Sequence, residues 1–191
     1  MSKMVSKEVE RLNKAIAFAC EKHKDQIRKG TNVPYVFHLM EVSTILQGMN
    51  GDTDLIIAGL LHDTIEDTDT TFEELEKEFG SKVVEYVKSD TEDKSKTWEE
   101  RKEHAVLSID GMNYECMKLI LADKLSNLRS SYNDLKYSED KNIWGKFKRG
   151  KEQQKKYYTD ICNALRELRK KDETREYYIE FVTLLGKVFK Y

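Results

Sequence analysis

The sequence predicts an all-α protein that forms a single domain. Of its 191 residues, 36% are charged, 9 are glycine and 1 is proline, a composition that suits amphipathic helices with short connections better than strands with frequent turns. Apolar residues also recur at helical spacing, beginning with Val9, Leu12, Ile16 and Cys20 on one face of the N-terminal segment. Because a chain of this length buries a substantial core, we expect one globular unit over residues 1–191.

The net charge and the cysteines indicate which kinds of partner to expect and in which compartment the protein is expected. The net charge is −2, with 33 basic and 35 acidic side chains, which gives no electrostatic reason to expect binding to nucleic acid or to an anionic membrane. The three cysteines are far apart and lack the spacing of a metal site, so disulfides are not expected. The N-terminus carries no hydrophobic signal segment, and no apolar run approaches the length of a membrane span. We therefore expect a cytoplasmic protein.

Helix boundaries can be placed from breakers and caps. The first helix is predicted from about Ser6 to Ile27, with Gly30 ending it, and the second begins near Pro34, whose fixed φ is tolerated at a helix start. Residues 98–110 are predicted to be helical, with His104 as a surface or structural histidine, and residues 139–191 as two or three packing helices. Further caps are predicted at Asp52 or Asp54, at Thr71 with Glu74, at Gly80, and at Thr97 with Glu100.

The stretch AGLLHDTIED, residues 58–67, closes an apolar run with four ionisable side chains. If the run is helical, His62 and Glu66 share one face and Asp63 and Asp67 share another, because residues four apart are neighbours on a helix. An adjacent histidine and aspartate can bind one ion only when other segments complete the ligand shell. The alternative is an exposed helix end that happens to be acidic.

Two residues elsewhere are candidates to complete that shell. His38 lies among apolar residues of the second predicted helix, where a histidine is more often a core residue than a ligand. Asp123 lies inside the apolar run of residues 117–130, and an aspartate is costly to bury unless it is paired or binds a metal. The alternative interpretation is that Asp123 lies on the polar edge of an amphipathic helix.

The order of these motifs resembles that of the HD-domain metal-dependent phosphohydrolases. The segments that carry the resemblance are HKDQIRKG at 23–30, PYVFH at 34–38, AGLLHDTIED at 58–67, FG at 79–80 and LADKLSNLR at 121–129. Together they resemble the alarmone (p)ppGpp hydrolases, both the small single-domain enzymes and the hydrolase half of Rel/SpoT-type enzymes. The resemblance covers core motifs at about residues 15–135 and implies a single HD-type helical bundle, with the C-terminal helices of 139–191 packed on it. The chain departs from the family at Leu39, where proline is usual, and around Thr91.

The resemblance implies one divalent metal ion bound by His38, His62, Asp63 and Asp123. Two imidazoles and two carboxylates suit Mn²⁺, Fe²⁺, Zn²⁺ or Mg²⁺, and the family favours Mn²⁺. A bound cation lowers the pKa of its water, so that hydroxide is available near neutral pH.

Other residues are expected to act on the water and on a nucleotide substrate. Glu66 and Asp67 are placed to orient the water and accept its proton, and in the family this pair is linked to catalysis. Arg28 and Lys29 are expected to neutralise the diphosphate. Asn127 is expected to hydrogen-bond the ribose or a phosphate oxygen. The remaining negative charge of the nucleotide is expected to meet Tyr157 and the cations Lys146, Lys148, Arg149 and Lys151.

The predicted function is hydrolysis of (p)ppGpp at the 3′ position, with release of pyrophosphate. One alternative is an HD hydrolase that acts on another nucleotide phosphate or diphosphate. A second alternative, from a different class, is a non-catalytic nucleotide-binding module with an inherited HD fold. The sequence argues against that module, because a decayed site would have lost some of its metal-ligand and catalytic candidates, and this chain retains all of them.

Overall fold

The computed structural model describes residues 3–137, 143–146 and 149–190, with the side chains of residues 3–5 and 146 left out. Within these ranges the regular secondary structure is helical, apart from an isolated antiparallel bridge between Ile27 and Pro34, which confirms the all-α prediction. None of the described helices combines the length and apolar character needed to cross a membrane. The chain divides into two compact units, Met1–Arg28 with Asn32–Glu92 and Lys29–Thr31 with Asp93–Tyr191. The prediction of a single domain stays a prediction.

The first unit is built around its third helix. Its helices are α1 (Lys3–Lys22), α2 (Val36–Gly48), α3 (Thr53–Leu61), α4 (Thr64–Asp67), α5 (Phe72–Phe79) and α6 (Ser81–Asp90). Helix α3 packs against α1, α2 and α6, and its residues from Ile57 to Leu61 are all buried. Asp52 caps this helix by accepting a hydrogen bond from the Leu55 amide at 2.9 Å, as predicted.

Gly59 allows α2 and α3 to approach closely. A Cβ atom at this position would lie 2.6 Å from Leu46 Cδ1 and 3.2 Å from Ser43 Cα, closer than packed atoms normally come. A Cβ atom here would require the Leu46 side chain to turn away and the α2 backbone at Ser43 to shift by a few tenths of an ångström, so glycine suits this crossing best. The close crossing holds together the two helices that carry His38 and lead into His62.

The first helix ends at Lys22, so the predicted end at Ile27 was wrong. Beyond His23 the chain reverses through Gly30, whose φ is 76°. Two backbone hydrogen bonds then close a short hairpin, from the Arg28 amide to the Val33 carbonyl at 2.8 Å and from the Tyr35 amide to the Gln26 carbonyl at 2.9 Å. These hydrogen bonds replace the helical ones that the apolar pattern had suggested.

The predicted helix through residues 58–67 is interrupted. Helix α3 ends at Leu61 and α4 begins at Thr64, where the Thr64 hydroxyl donates to the Leu61 carbonyl at 2.6 Å. A hydroxyl that bonds a carbonyl of the preceding turn offers the backbone an alternative to helical pairing. The Asp67 amide still donates to the Asp63 carbonyl at 2.9 Å, so a single helical turn links these residues.

In its described residues, the second unit contains four α-helices. These are α7 (Trp98–Leu107), α8 (Tyr114–Tyr137), α9 (Lys151–Ala164) and α10 (Asp172–Lys190), with short 3₁₀ segments at Ile143–Lys146 and Arg166–Lys170. Helix α8 packs on α10, and α7 packs on α9. The capping box of Thr97 and Glu100 is present, as predicted, and the packing helices expected in 139–191 are confirmed for the described residues. Residues 138–142 and 147–148 lie outside the description.

Candidate metal and catalytic site

Two buried histidines and an aspartate lie together in the first unit. His38, on α2, and His62, directly after α3, are 3% and 1% exposed, and their ring centroids are 5.2 Å apart. Asp63 Oδ2 lies 2.9 Å from His62 Nε2 and 3.5 Å from His38 Nε2. The predicted ligands His38, His62 and Asp63 are therefore brought together, with their potential donor atoms facing one another.

The backbone sets the tautomer of His62. Its Nδ1 lies 2.9 Å from the Gly59 carbonyl oxygen, which can only accept a hydrogen bond, so Nδ1 must carry the proton. In the neutral ring the lone pair is then on Nε2, the atom that faces Asp63. A histidine held by a carbonyl through one nitrogen presents the other nitrogen as a metal ligand.

Tyr35 fixes the carboxylate of Asp63. The Tyr35 hydroxyl donates to Asp63 Oδ2 at 2.6 Å, and the Tyr35 ring meets that of His38 edge-on at a centroid distance of 5.4 Å. The Arg28 guanidinium lies over the Tyr35 ring, 5.4 Å from the ring centroid. Tyr35 therefore links a predicted metal ligand to a predicted phosphate-binding residue.

Asp123 of α8 is buried in the second unit, with 5% of its surface exposed. Asn127 donates to its Oδ1 at 2.6 Å, and the Lys124 ammonium pairs with its Oδ2. These partners satisfy the requirement that a buried carboxylate be paired. Its role as a metal ligand together with the histidines of the first unit stays a prediction.

Glu66 of α4 is half-buried and accepts a hydrogen bond from the Glu92 amide at 2.8 Å. Burial raises the pKa of this carboxyl to about 7, and the negative charge of Asp63 acts in the same direction, whereas the Glu92 amide acts against it. A carboxyl with a pKa close to neutrality can accept a proton at physiological pH and later release it. Its environment therefore fits the predicted role in proton transfer.

Asp67 differs from Glu66 in its surroundings. It is exposed, and the Gln26 side-chain amide donates to its Oδ2 at 2.9 Å. Gln26 belongs to the hairpin that follows α1, so a segment remote in sequence orients this carboxylate. The two acids predicted to be catalytic thus have separate anchors.

The predicted substrate contacts are spread over both units. Arg28 is half-buried and Lys29 is exposed. Asn127 donates to Asp123, which indicates a structural role in addition to any contact with substrate. The side chain of Lys146, and Lys148 as a whole, lie outside the described residues, and Lys151 is half-buried.

Tyr157 lines a cavity of about 440 Å³ between α7 and α9, together with Trp98 and Lys102. Its ring is 5% exposed, and the Lys102 ammonium lies over it, 4.7 Å from the ring centroid. Arg149 donates to both carboxylate oxygens of Glu99, at 2.6 and 3.0 Å. The Arg149 cation is therefore already engaged by a carboxylate, which weakens its predicted role in neutralising phosphate.

Sequence reasoning gave no role to three residues that hold this site: His23, Gln26 and Tyr35. The segment HKDQ did place His23 and Gln26 three residues apart at a helix end, which was a signal that their side chains could interact. The contact of Gln26 with Asp67, by contrast, spans 41 positions. A contact of that range depends on the hairpin, which the helical pattern concealed.

Comparison with known proteins finds relatives that are named as hydrolases of guanosine bis(diphosphate). It is 44% identical over 121 residues to guanosine-3′,5′-bis(diphosphate) 3′-pyrophosphohydrolase MESH1 of Danio rerio, a match covering 62% of this chain and 67% of the relative. The protein of that enzyme name from Aquifex aeolicus is 38% identical over 124 residues, which are 63% of this chain and 18% of the longer relative.

Solved structures extend the likeness to the fold. A metazoan ortholog of SpoT that hydrolyzes ppGpp superimposes with a TM-score of 0.77 at 30% identity, covering 93% of this chain and 94% of that one. The protein lmo0812 from Listeria monocytogenes EGD-e gives a TM-score of 0.74 at 38% identity, covering 81% and 99%. A family model described as HD domain matches residues 15–148, a span that includes every predicted metal ligand, and the chain belongs to the HD domain family.

Proposed function

We propose that this protein is a metal-dependent hydrolase that removes the 3′-diphosphate of (p)ppGpp. The observation that carries the proposal is the pair of buried histidines facing the Asp63 carboxylate, with the His62 proton held on Nδ1 by the Gly59 carbonyl. Polar groups gathered in this way are costly to bury and serve no packing purpose. The relatives named as ppGpp 3′-pyrophosphohydrolases support the choice of substrate.

His38, His62, Asp63 and Asp123 are the proposed ligands of one divalent ion. Imidazole nitrogens and carboxylate oxygens suit a hard or borderline cation, and we propose Mn²⁺. When bound, such an ion supplies a Lewis acid that lowers the pKa of a coordinated water. Tyr35 keeps Asp63 oriented toward the two rings through its 2.6 Å hydrogen bond, so the site is organised by contacts of the protein itself.

Glu66 is the proposed proton acceptor. Its raised pKa, about 7, matches a base that takes a proton from the attacking water near neutral pH, and the Glu92 amide fixes one of its oxygens. Asp67 is the proposed water-orienting residue, held by Gln26. Hydrolysis of ppGpp breaks the bond between the ribose 3′ oxygen and phosphorus. Water gives its hydroxyl group to the phosphorus of the departing pyrophosphate and a proton to the 3′ oxygen of GDP.

Arg28 and Lys29 are proposed to bind the diphosphate. The planar guanidinium of Arg28 offers a bidentate grip on phosphate oxygens, and its position over the Tyr35 ring restricts its orientation. Asn127 and Tyr157 are proposed to contact the nucleoside part. The negative charge of a diphosphate needs cations close to it. The hairpin carries two adjacent cations, Arg28 and Lys29, on a protein whose net charge is −2.

The direct test is product analysis with metal-stripped protein, to which Mn²⁺ is restored. Incubation with ppGpp should give GDP and pyrophosphate in equal amounts by anion-exchange chromatography. His62→Ala should abolish turnover, whereas the matched control His104→Ala, at an exposed position on α7, should leave it unchanged. Release of orthophosphate alone, or intact ppGpp alongside consumption of another nucleotide, would refute the alarmone assignment.

A further inference from the structure

Gln26 lies between a predicted catalytic acid and a buried histidine. Its Nε2 is 2.9 Å from Asp67 Oδ2, and its Oε1 is 2.6 Å from His23 Nδ1. A carboxylate can only accept hydrogen bonds, so the amide nitrogen must face Asp67 and the amide oxygen must face His23. His23 Nδ1 must then be the donor, which assigns the proton of the neutral imidazole to Nδ1.

His23 also contacts Tyr35, the residue that holds Asp63. Its ring stacks on that of Tyr35, with centroids 5.5 Å apart and planes inclined by 22°, and the Tyr35 hydroxyl holds Asp63 at 2.6 Å. The backbone of the hairpin keeps these residues in register, because the Tyr35 amide donates to the Gln26 carbonyl at 2.9 Å. One buried ring thus contacts both of the side chains that orient Asp63 and Asp67.

The chemistry of His23 argues for a directed role over simple space filling. The residue is 3% exposed, and its Nε2 is buried without a hydrogen-bond partner in the part of the chain that the structure describes. An apolar ring would fill the same volume without burying an unsatisfied nitrogen. What histidine adds over an apolar ring is the Nδ1 proton that it gives to Gln26.

We propose that His23 is a positioning residue for hydrolysis. It fixes the orientation of the Gln26 amide, and through that amide it fixes the Asp67 carboxylate. Its stacking on Tyr35 stabilises the group that holds Asp63. The consequence for catalysis rests on the proposed function, whereas the network of hydrogen bonds does not depend on which substrate is used.

Two substitutions of His23 separate the contribution of its aromatic ring from that of its Nδ1 hydrogen-bond donor. His23→Phe keeps an aromatic ring against Tyr35 and removes the donor to Gln26. His23→Asn removes the ring but places an amide N–H close to the position of Nδ1. We expect His23→Phe to lower kcat roughly 10-fold, at the lower end of losses seen for residues that orient an active group, with KM changed less than about 2-fold. His23→Asn should bring kcat clearly above that of His23→Phe, and any loss that remains measures the contribution of the stacking on Tyr35.

Coupling to Asp67 tests whether the effect passes through Gln26. In an Asp67→Asn background the further change His23→Phe should have little effect on kcat, because the carboxylate that it positions is already gone. Gln26→Leu, at a half-buried position of the hairpin, should reproduce the loss even if His23→Phe folds poorly. Lys24→Ala, at an exposed neighbouring position, is the control. Multiplicative losses in the double variant would overturn the proposal.

Nuclear magnetic resonance tests the network without substrate. Long-range proton–nitrogen spectra of the metal-free protein should show His23 protonated on Nδ1 and not on Nε2. The Gln26 amide and Asp67 carboxylate resonances should move in His23→Phe and stay near their wild-type positions in His23→Asn. A proton on Nε2, or unmoved resonances, would overturn the positioning network. Absence of ppGpp turnover in a wild type that shows the expected spectra would overturn the proposed function alone.

Discussion

Replacing Glu66 with glutamine tests whether burial keeps this carboxyl protonated. The measured quantity is the pH dependence of the free energy of unfolding. Glutamine keeps the shape of the side chain and an oxygen that can accept from the Glu92 amide, 2.8 Å away, but it cannot ionise. In the wild-type protein, burial raises the pKa of Glu66 from its usual value near 4.5 to about 7. The native state therefore binds a proton that the unfolded chain releases between those two pH values.

The sign and size of the effect follow from linkage. A carboxyl whose pKa is raised by folding contributes stability that is fully present below about pH 4.5 and is lost as pH rises through about 7. One pKa unit corresponds to about 1.4 kcal/mol, so the ionised Glu66 should cost the metal-free fold on the order of 3 kcal/mol at pH 8. Glu66→Gln should escape this cost, and the variant should be more stable than the wild type at that pH.

The assay is urea unfolding of metal-free protein, in the presence of a chelator, at pH 5 and pH 8. The free energy of unfolding of the wild type should fall between these values by up to about 3 kcal/mol more than that of Glu66→Gln. Glu76→Gln, an exposed glutamate on α5, is the matched control and should follow the wild type. Equal pH dependence in wild type and Glu66→Gln would show that burial does not hold the carboxyl protonated.

The same variant separates stability from catalysis. With Mn²⁺ restored, Glu66→Gln should still bind metal and nucleotide, while turnover falls by ~10² or more because the proton acceptor is missing. A gain in stability combined with a loss of turnover is the pattern of a group that is strained by its environment for the sake of function. Turnover equal to that of the wild type would remove Glu66 from the mechanism.

Three further predictions concern residues that bind substrate or shape the site. Arg28→Ala should raise KM for ppGpp and lower kcat/KM in steady-state kinetics, because a bidentate phosphate contact is lost; an unchanged KM would argue against this contact. Gly59→Ala should lower the free energy of unfolding by about 1–3 kcal/mol in urea titrations, since its Cβ would lie 2.6 Å from Leu46 Cδ1 and 3.2 Å from the α2 backbone at Ser43 Cα. Tyr35→Phe should weaken Mn²⁺ binding by roughly 10-fold in calorimetry, because Asp63 loses its donor; wild-type affinity would contradict this role.

The helical class and most caps were predictable because their signals are local. Asp52, Thr97 and Gly80 act through groups within a few residues of themselves, so the sequence contains the whole interaction. The pairing of Asp123 was also foreseeable in kind, because a carboxylate in an apolar helix needs a partner, and Asn127 lies one turn away. Local chemistry of this sort can be read without a structure.

The end of the first helix was not predictable from the same signals. His23 is buried, so the apolar face of α1 continues past the last helical residue and hides the boundary. The chain leaves the helix because the hairpin pairs Ile27 with Pro34. The hairpin is held in turn by the hydrogen bonds of Gln26 with Asp67 and of Tyr35 with Asp63. A periodic pattern records which side chains are buried, but it does not record which backbone hydrogen bonds are formed.

The length of α4 explains why the acids of the site need anchors from elsewhere. A helix of four residues, Thr64–Asp67, is far shorter than one that is stable alone, so it cannot hold its own side chains rigidly. Three separate donors supply the order instead: the Tyr35 hydroxyl on Asp63, the Glu92 amide on Glu66 and the Gln26 amide on Asp67. Because each acid has a different anchor, loss of one donor should disturb one acid and leave the others in place. The site should therefore lose metal affinity, proton transfer and water orientation one at a time, according to which anchor is removed.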